Sequence, residues 1–149
     1  MALRERLDED LKSAMRERDS LRLNTVRMLK SAIKYREIEL MKTLDDAGIL
    51  GVVSSEIKRR RDSVEQYKAG HRQDLVDKEE TEIRVLQAYL PQQLSSAELE
   101  AKVDEVIARV GAKGPKDMGA VMKALLPEVQ GRADGKVVSE TVKQRLAPK

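Results

Sequence analysis

The sequence predicts an all-α protein, an N-terminal four-helix domain followed by a small C-terminal three-helix domain, and three observations carry that expectation. Apolar residues recur at three- and four-residue steps through most of the chain, N-capping residues punctuate the pattern, and the strongest break, Leu90-Pro91, is followed at once by a fresh helix start. No strand-like alternation and no internal repeat interrupts this reading. Packing must rely on Leu, Val, Ile, Met and Ala, because the 149 residues include three tyrosines, no phenylalanine and no tryptophan. Those aliphatics suit helices.

Taken in order, Leu3, Leu7, Leu11 and Met15 form the apolar stripe of a first amphipathic helix. Asp19-Ser20 then supplies an N-cap for a second helix with Leu23, Val26, Leu29, Ile33, Leu40 and Leu44 as its stripe. Asp45-Asp46 caps a third, through Ile49, Val53, Ile57, Val64 and Tyr67, whose first turns contain Gly48 and Gly51, each unfavourable by about 1 kcal/mol relative to Ala. Gly70 is expected to end this helix in a left-handed conformation, and Asp74 to cap a fourth carrying Val76, Ile83, Leu86 and Leu90. Pro91 stops it.

The domains are accordingly expected at 1–92 and 93–149. Ser95 and Glu98 form a capping box for a fifth helix with Leu99, Val103, Val106, Ile107 and Val110. The run from Gly111 to Pro115 closes it, and a sixth helix carries Met118, Val121, Met122 and Leu125. The turn Gly131-Arg132-Ala133-Asp134-Gly135 leads into a last helix with Val138, Val142 and Leu146.

Several chemistries are not supported. The absence of cysteine removes disulfides, thiolate ligands and a thiol nucleophile. His71, the only histidine, reads as a loop residue, since a metal site or a nucleophile–base pair needs more groups than one. Glu79 and Glu82 share a helix face, a pattern that serves Mg²⁺ in principle but here reads as solvation or as pairing with the basic third helix. No phosphate loop or dinucleotide fingerprint is present. No catalytic residue, metal or cofactor is therefore expected. The first residues lack an apolar run of signal-peptide length and no later stretch nears the ~20 apolar residues of a membrane span, so a cytoplasmic protein with no membrane partner is the expectation.

Charge is nearly balanced at +3, so only local clustering argues for a polyanion. The run Lys58-Arg59-Arg60-Arg61 wraps around its helix and reads either as a solvated face neutralised by Glu56, Asp62 and Glu65 or as a secondary nucleic-acid contact. In the C-terminal part, Lys123, Arg132, Lys136 and Lys143 surround the glycine-rich turn, where backbone amides and helix N-termini suit phosphate oxygens. Gly131 and Gly135 equally satisfy plain turn geometry. No aromatic residue follows Tyr89, so this part would read an RNA by backbone and shape, not by stacking.

Five stretches together resemble the YqeY family: residues 26–34, Arg60-Arg61-Asp62-Ser63 through Tyr67, residues 74–79, Tyr89-Leu90-Pro91, and Asp117 through Lys123 followed by Gly131 through Lys136. The likeness covers nearly the whole chain. That family is similar to the tail of the B subunit of the glutamine-dependent amidotransferase that amidates mischarged Glu-tRNA or Asp-tRNA. The resemblance implies an all-α protein whose small C-terminal domain is related to a tRNA-engaging part, with tRNA and amidotransferase subunits as expected partners. It carries over to Gly119, Val121, Met122, Lys123, Gly131 and Ala133, of which Lys123 is the evident phosphate partner, while Gly119 reads as a close-packing position and Val121 and Met122 as core. The chain departs from the pattern at His71, where the family more often places arginine, and at Ala47-Gly48, which replace acidic residues. The amidotransferase's nucleotide and metal site and its amidase subunit have no counterpart here. An RNA-binding accessory module is therefore expected, with a part in carbon–nitrogen ligation through partner subunits or a protein–protein adaptor as alternatives.

Overall fold

A computed structural model describes residues 2–148, and the regular structure among them is helical: seven α-helices and a turn of 3-10 helix, with no strand. They divide into two compact units on either side of the Leu90–Pro91 junction.

The first unit comprises α1 (Leu3–Arg16), α2 (Ser20–Leu40), α3 (Asp46–Ala69) and α4 (Gln73–Gln87). Leu7, Val26, Leu29, Ile49, Val53 and Leu86 are among its buried core. The caps follow the sequence at two starts, with Asp19 accepting from Arg22 N at 3.1 Å and Asp45 from Gly48 N at 2.8 Å. They differ at α4. Its N-cap is Arg72, with no side-chain capping bond, and Asp74 lies inside the first turn, paired with Arg72 at 3.1 Å. Gly70 also departs from expectation: its φ is −88°, because its amide still donates helically to Gln66 O, and the left-handed residue is His71, at φ 56°. His71 is exposed in the turn.

Two apolar stripes are corrected by helix geometry. A strict four-residue repeat drifts around a helix of 3.6 residues per turn, so by Met15 the stripe of α1 has left the core; Met15 is exposed and Ala14 takes the buried position. In α2 the helix ends at Leu40, itself exposed, and Met41 turns left-handed. Leu44 lies beyond the helix yet is buried, drawn back by its amide donating to Glu37 Oε2 at 2.7 Å while its carbonyl accepts from Arg4. Gly48 makes room for it, since a Cβ there would stand 2.7 Å from Leu44 Cδ2.

The second unit contains α5 (Ser96–Val110), a 3-10 turn (Pro115–Asp117), α6 (Met118–Val129) and α7 (Gly135–Leu146). Both halves of the Ser95–Glu98 capping box form, and Gly111 closes α5 at φ 70°. The core is built from Leu99, Val103, Val106, Val121, Leu125, Val138 and Val142, joined by Val129, which α6 reaches by continuing past Pro127. Met122 packs against this core. Gly119 is not a close-packing position, because a Cβ there would meet open space.

Candidate nucleic-acid interface

The basic run on α3 is not one surface. Arg60 is buried, 5% exposed, with Nη1 donating to Glu56 Oε2 at 2.7 Å and Nε 3.6 Å from Glu82 Oε2 on α4. It is an ion-pair anchor between α3 and α4, buried between Glu56 and Glu82. Arg59 projects outward and pairs with Glu56 at 3.5 Å. Arg61 stands at a groove of about 420 Å³ between α3 and α4 that also holds a second cation, Arg84, and three carboxylates, Asp62, Glu65 and Glu80. Lys58 is exposed. Of the secondary patch read from Lys58, Arg59, Arg60 and Arg61, Arg60 is thus corrected to a buried position, and the other three are exposed.

Glu82 meets the expectation of pairing with the third helix. Its neighbour Glu79 is pushed above the ordinary carboxyl value of 4.5 by burial and then by the charge of Glu82. Among the described residues no group of three His, Asp or Glu side chains is gathered as a metal site.

In the second unit the four named cations divide into two kinds. Arg132 is half-buried and structural: its Nε donates to Gln92 O at 3.1 Å, and its carbonyl accepts from Leu94 N at 2.8 Å, fastening the segment before α5 to the α6–α7 turn. Gln93 Nε2 adds a bond to Gly131 O at 2.7 Å. Gly131 has φ 77°, so the turn does require a glycine there. Gly135 has no such conformation. The N-terminus of α7 is already satisfied, because Asp134 accepts from Lys136 N at 3.0 Å and places a carboxylate where a phosphate would sit.

Lys123, Lys136 and Lys143 are exposed and make no ion pair among the described residues. Lys136 and Lys143, seven residues apart on α7, share one side two turns from each other, about 10 Å along the axis. Lys123 stands on α6 two residues from the buried Val121 and Leu125, and therefore on the side facing away from the core. Of the other described cations of this unit, Lys113 and Lys116 are likewise exposed without an ion pair, and three are engaged. Lys102 and Arg109 hold Glu128 at 3.2 and 2.8 Å, and Arg145 holds Asp104. The Glu128 carboxyl is accordingly kept below the ordinary range by Arg109 first and Lys102 second.

This arrangement meets a family match of the same extent as the fold. The family model described as Yqey-like protein matches residues 4–146. The chain belongs to the YqeY family. Curated relatives include Altered inheritance of mitochondria protein 41, mitochondrial, of Lachancea thermotolerans, 39% identical over 112 residues that span 73% of this chain and 60% of that protein. The protein of the same name in Pyrenophora tritici-repentis is 30% identical over 97% of this chain and 81% of its own length, and that of Saccharomyces cerevisiae 32% over 87% and 69%. The YqeY chain thus spans little more than half the length of the first of these relatives. Their names correct the expectation of a cytoplasmic protein: these relatives of the YqeY chain are named as mitochondrial.

Proposed function

We propose that the C-terminal unit is a docking module for structured RNA, tRNA foremost, serving as an accessory to glutamine-dependent tRNA amidotransferase subunits. The observation that carries the reading is the contrast within the unit: Lys102, Arg109 and Arg145 are neutralised by carboxylates, whereas Lys123, Lys136 and Lys143, and with them Lys113 and Lys116, stand exposed without ion pairs among the described residues. Cations left unpaired are free to neutralise phosphates and so release the counterions condensed on the nucleic acid, a main source of affinity for it. The family's similarity to an amidotransferase tail supplies the choice of tRNA. Ligase chemistry, in this reading, belongs to the partner subunits.

The test is a titration with tRNA and with a random single-stranded RNA across a salt series, comparing wild type with Lys123→Gln/Lys136→Gln/Lys143→Gln. Arg132 is left intact because it fastens the chain before α5. The expected result is preferential tRNA binding with a log–log salt slope that shrinks by about two to three in the triple variant. Absence of binding at low salt, or a slope that the variant leaves unchanged, overturns the reading and turns the search to protein partners.

A further inference from the structure

The side of α2 opposite its buried residues Val26, Leu29 and Ile33 carries an exposed apolar stripe, whose first member, Met28, also accepts from Arg60 Nη2 through its Sδ at 3.9 Å. Met28, Tyr35 and Ile38 are 51%, 68% and 66% exposed, and Met41 just past the helix is 91% exposed. Their spacing of seven and then three residues keeps Met28, Tyr35 and Ile38 on one side of the helix. From Ser20 to Arg36 this helix contains five cations and no acidic residue, and its last turn adds Glu37 and Glu39, which pair with Arg4 and Arg36. Arg22, Lys30 and Arg36 are engaged with Glu17, Asp8 and Glu39, but Arg27, Lys34 and the following Lys42 are exposed and make no ion pair among the described residues.

We propose that this face docks peripherally on an anionic lipid surface, with Met28, Tyr35 and Ile38 entering the boundary between headgroups and acyl chains and Arg27 and Lys34 meeting lipid phosphates. An apolar stripe bordered by unpaired cations is a pattern that lies in a membrane interface. Tyrosine suits that depth, its ring apolar and its hydroxyl wet. Charge complementarity demands an anionic occupant, and the three apolar side chains demand one with a hydrocarbon layer. A second copy of the chain placed face to face would set Arg27 and Lys34 against their own images. An RNA would use Tyr35 for stacking and leave Met28, Ile38 and Met41 in water. Among the described residues no helix is long and apolar enough to cross a membrane, so the contact is one of surface adsorption, which a search of the sequence for spans does not address.

The experiment is flotation of the full chain with phosphatidylcholine vesicles and with vesicles that also contain phosphatidylglycerol. Binding is expected to the phosphatidylglycerol vesicles alone and to weaken with salt. Tyr35→Gln/Ile38→Gln and Arg27→Gln/Lys34→Gln should each lower the partition about tenfold, while Lys123→Gln/Lys136→Gln/Lys143→Gln, which addresses the RNA reading, leaves it unchanged. All these side chains are exposed, so matching thermal melts confirm that the variants fold. Three results overturn the proposal. The first is no binding to either vesicle, which leaves the face to a protein with an acidic groove. The second is binding that survives loss of Tyr35 and Ile38, which reduces it to unspecific charge attraction. The third is concentration-dependent self-association that Tyr35→Gln/Ile38→Gln abolishes, which assigns the face to a second copy.

Discussion

The Nε of Arg60 lies 3.6 Å from Glu82 Oε2 with both side chains nine-tenths buried, so a residue from the most basic stretch of the sequence holds two helices together from within. Its Nη1 holds Glu56 at the same time, and Nε itself has no hydrogen-bond partner. Removing the guanidinium leaves Glu82 a buried charge without its partner and Glu56 with only the exposed Arg59 at 3.5 Å. Arg60→Met should therefore destabilise the protein by about 3–5 kcal/mol in urea unfolding. Arg59→Gln and Arg61→Gln, at exposed positions, should stay within about 0.5 kcal/mol of wild type. Equal effects at all three positions would refute the division between a buried anchor and a solvated flank.

Tyr89 makes a second long-range tie, its hydroxyl donating to Asp10 Oδ2 at 2.6 Å while Arg6 stacks over the ring at 4.8 Å from its centre. Burial first, and the bond to Asp10 second, push the phenol well above its ordinary value of 10. Tyr89→Phe keeps the ring and loses the bond to a charged acceptor, for an expected loss of about 1.5 kcal/mol. In an alkaline spectrophotometric titration of wild type, one tyrosine should ionise only as the protein unfolds, and the Phe variant should lack that step.

The helices were legible because each is signalled locally, by an apolar stripe and by capping residues such as Asp19, Asp45 and Ser95. What escaped the sequence depends on accumulated geometry or on distant partners. Met15 fell off its stripe through drift of the repeat, and His71 took the left-handed position because the helix before it ran one residue longer than Gly70 suggested. Arg60 read as surface because charge predicts exposure until a partner such as Glu82 is known. At the candidate interface, Lys123, Lys136 and Lys143 were found by type and spacing, but the structural engagement of Arg132 with Gln92 is a backbone contact that no side-chain pattern announces. The stripe of Met28, Tyr35 and Ile38 was present in the sequence, yet an apolar residue reads as core until the fold leaves it in water.

Glu37 links acidity to the reversal between α2 and α3. It accepts from Leu44 N at 2.7 Å and pairs with Arg4 at 2.7 Å, and these contacts, the backbone bond first, hold its carboxyl below the ordinary value of 4.5. A carboxyl with a depressed value in the folded state contributes stability that is present above pH 4.5 and lost as the pH falls through the folded-state value. Wild type should therefore lose more stability than Glu37→Gln between neutral pH and acid, and the two melting curves should converge at the acid end. A constant gap across the range would show that Glu37 acts through hydrogen bonding alone, without its charge.

Two glycines in the first turns of α3 should respond oppositely to alanine, although both carry the same intrinsic helix penalty. Gly51 sits inside the helix, exposed, and a methyl group added there would find no neighbouring atom within 4 Å, so Gly51→Ala relieves the backbone entropy without a clash and should stabilise the protein by about 0.5–1 kcal/mol. At Gly48 the same methyl would meet Leu44 at 2.7 Å from Cδ2 and 3.1 Å from Cβ. Leu44 is buried and its backbone is held on both sides, by Glu37 through the amide and by Arg4 through the carbonyl, so it yields only by disturbing that reversal. Gly48→Ala should accordingly forfeit the gain and fall below wild type in a thermal melt. If both substitutions stabilise equally, Leu44 moves freely, and Glu37 and Arg4 do not hold the loop as their bond lengths imply.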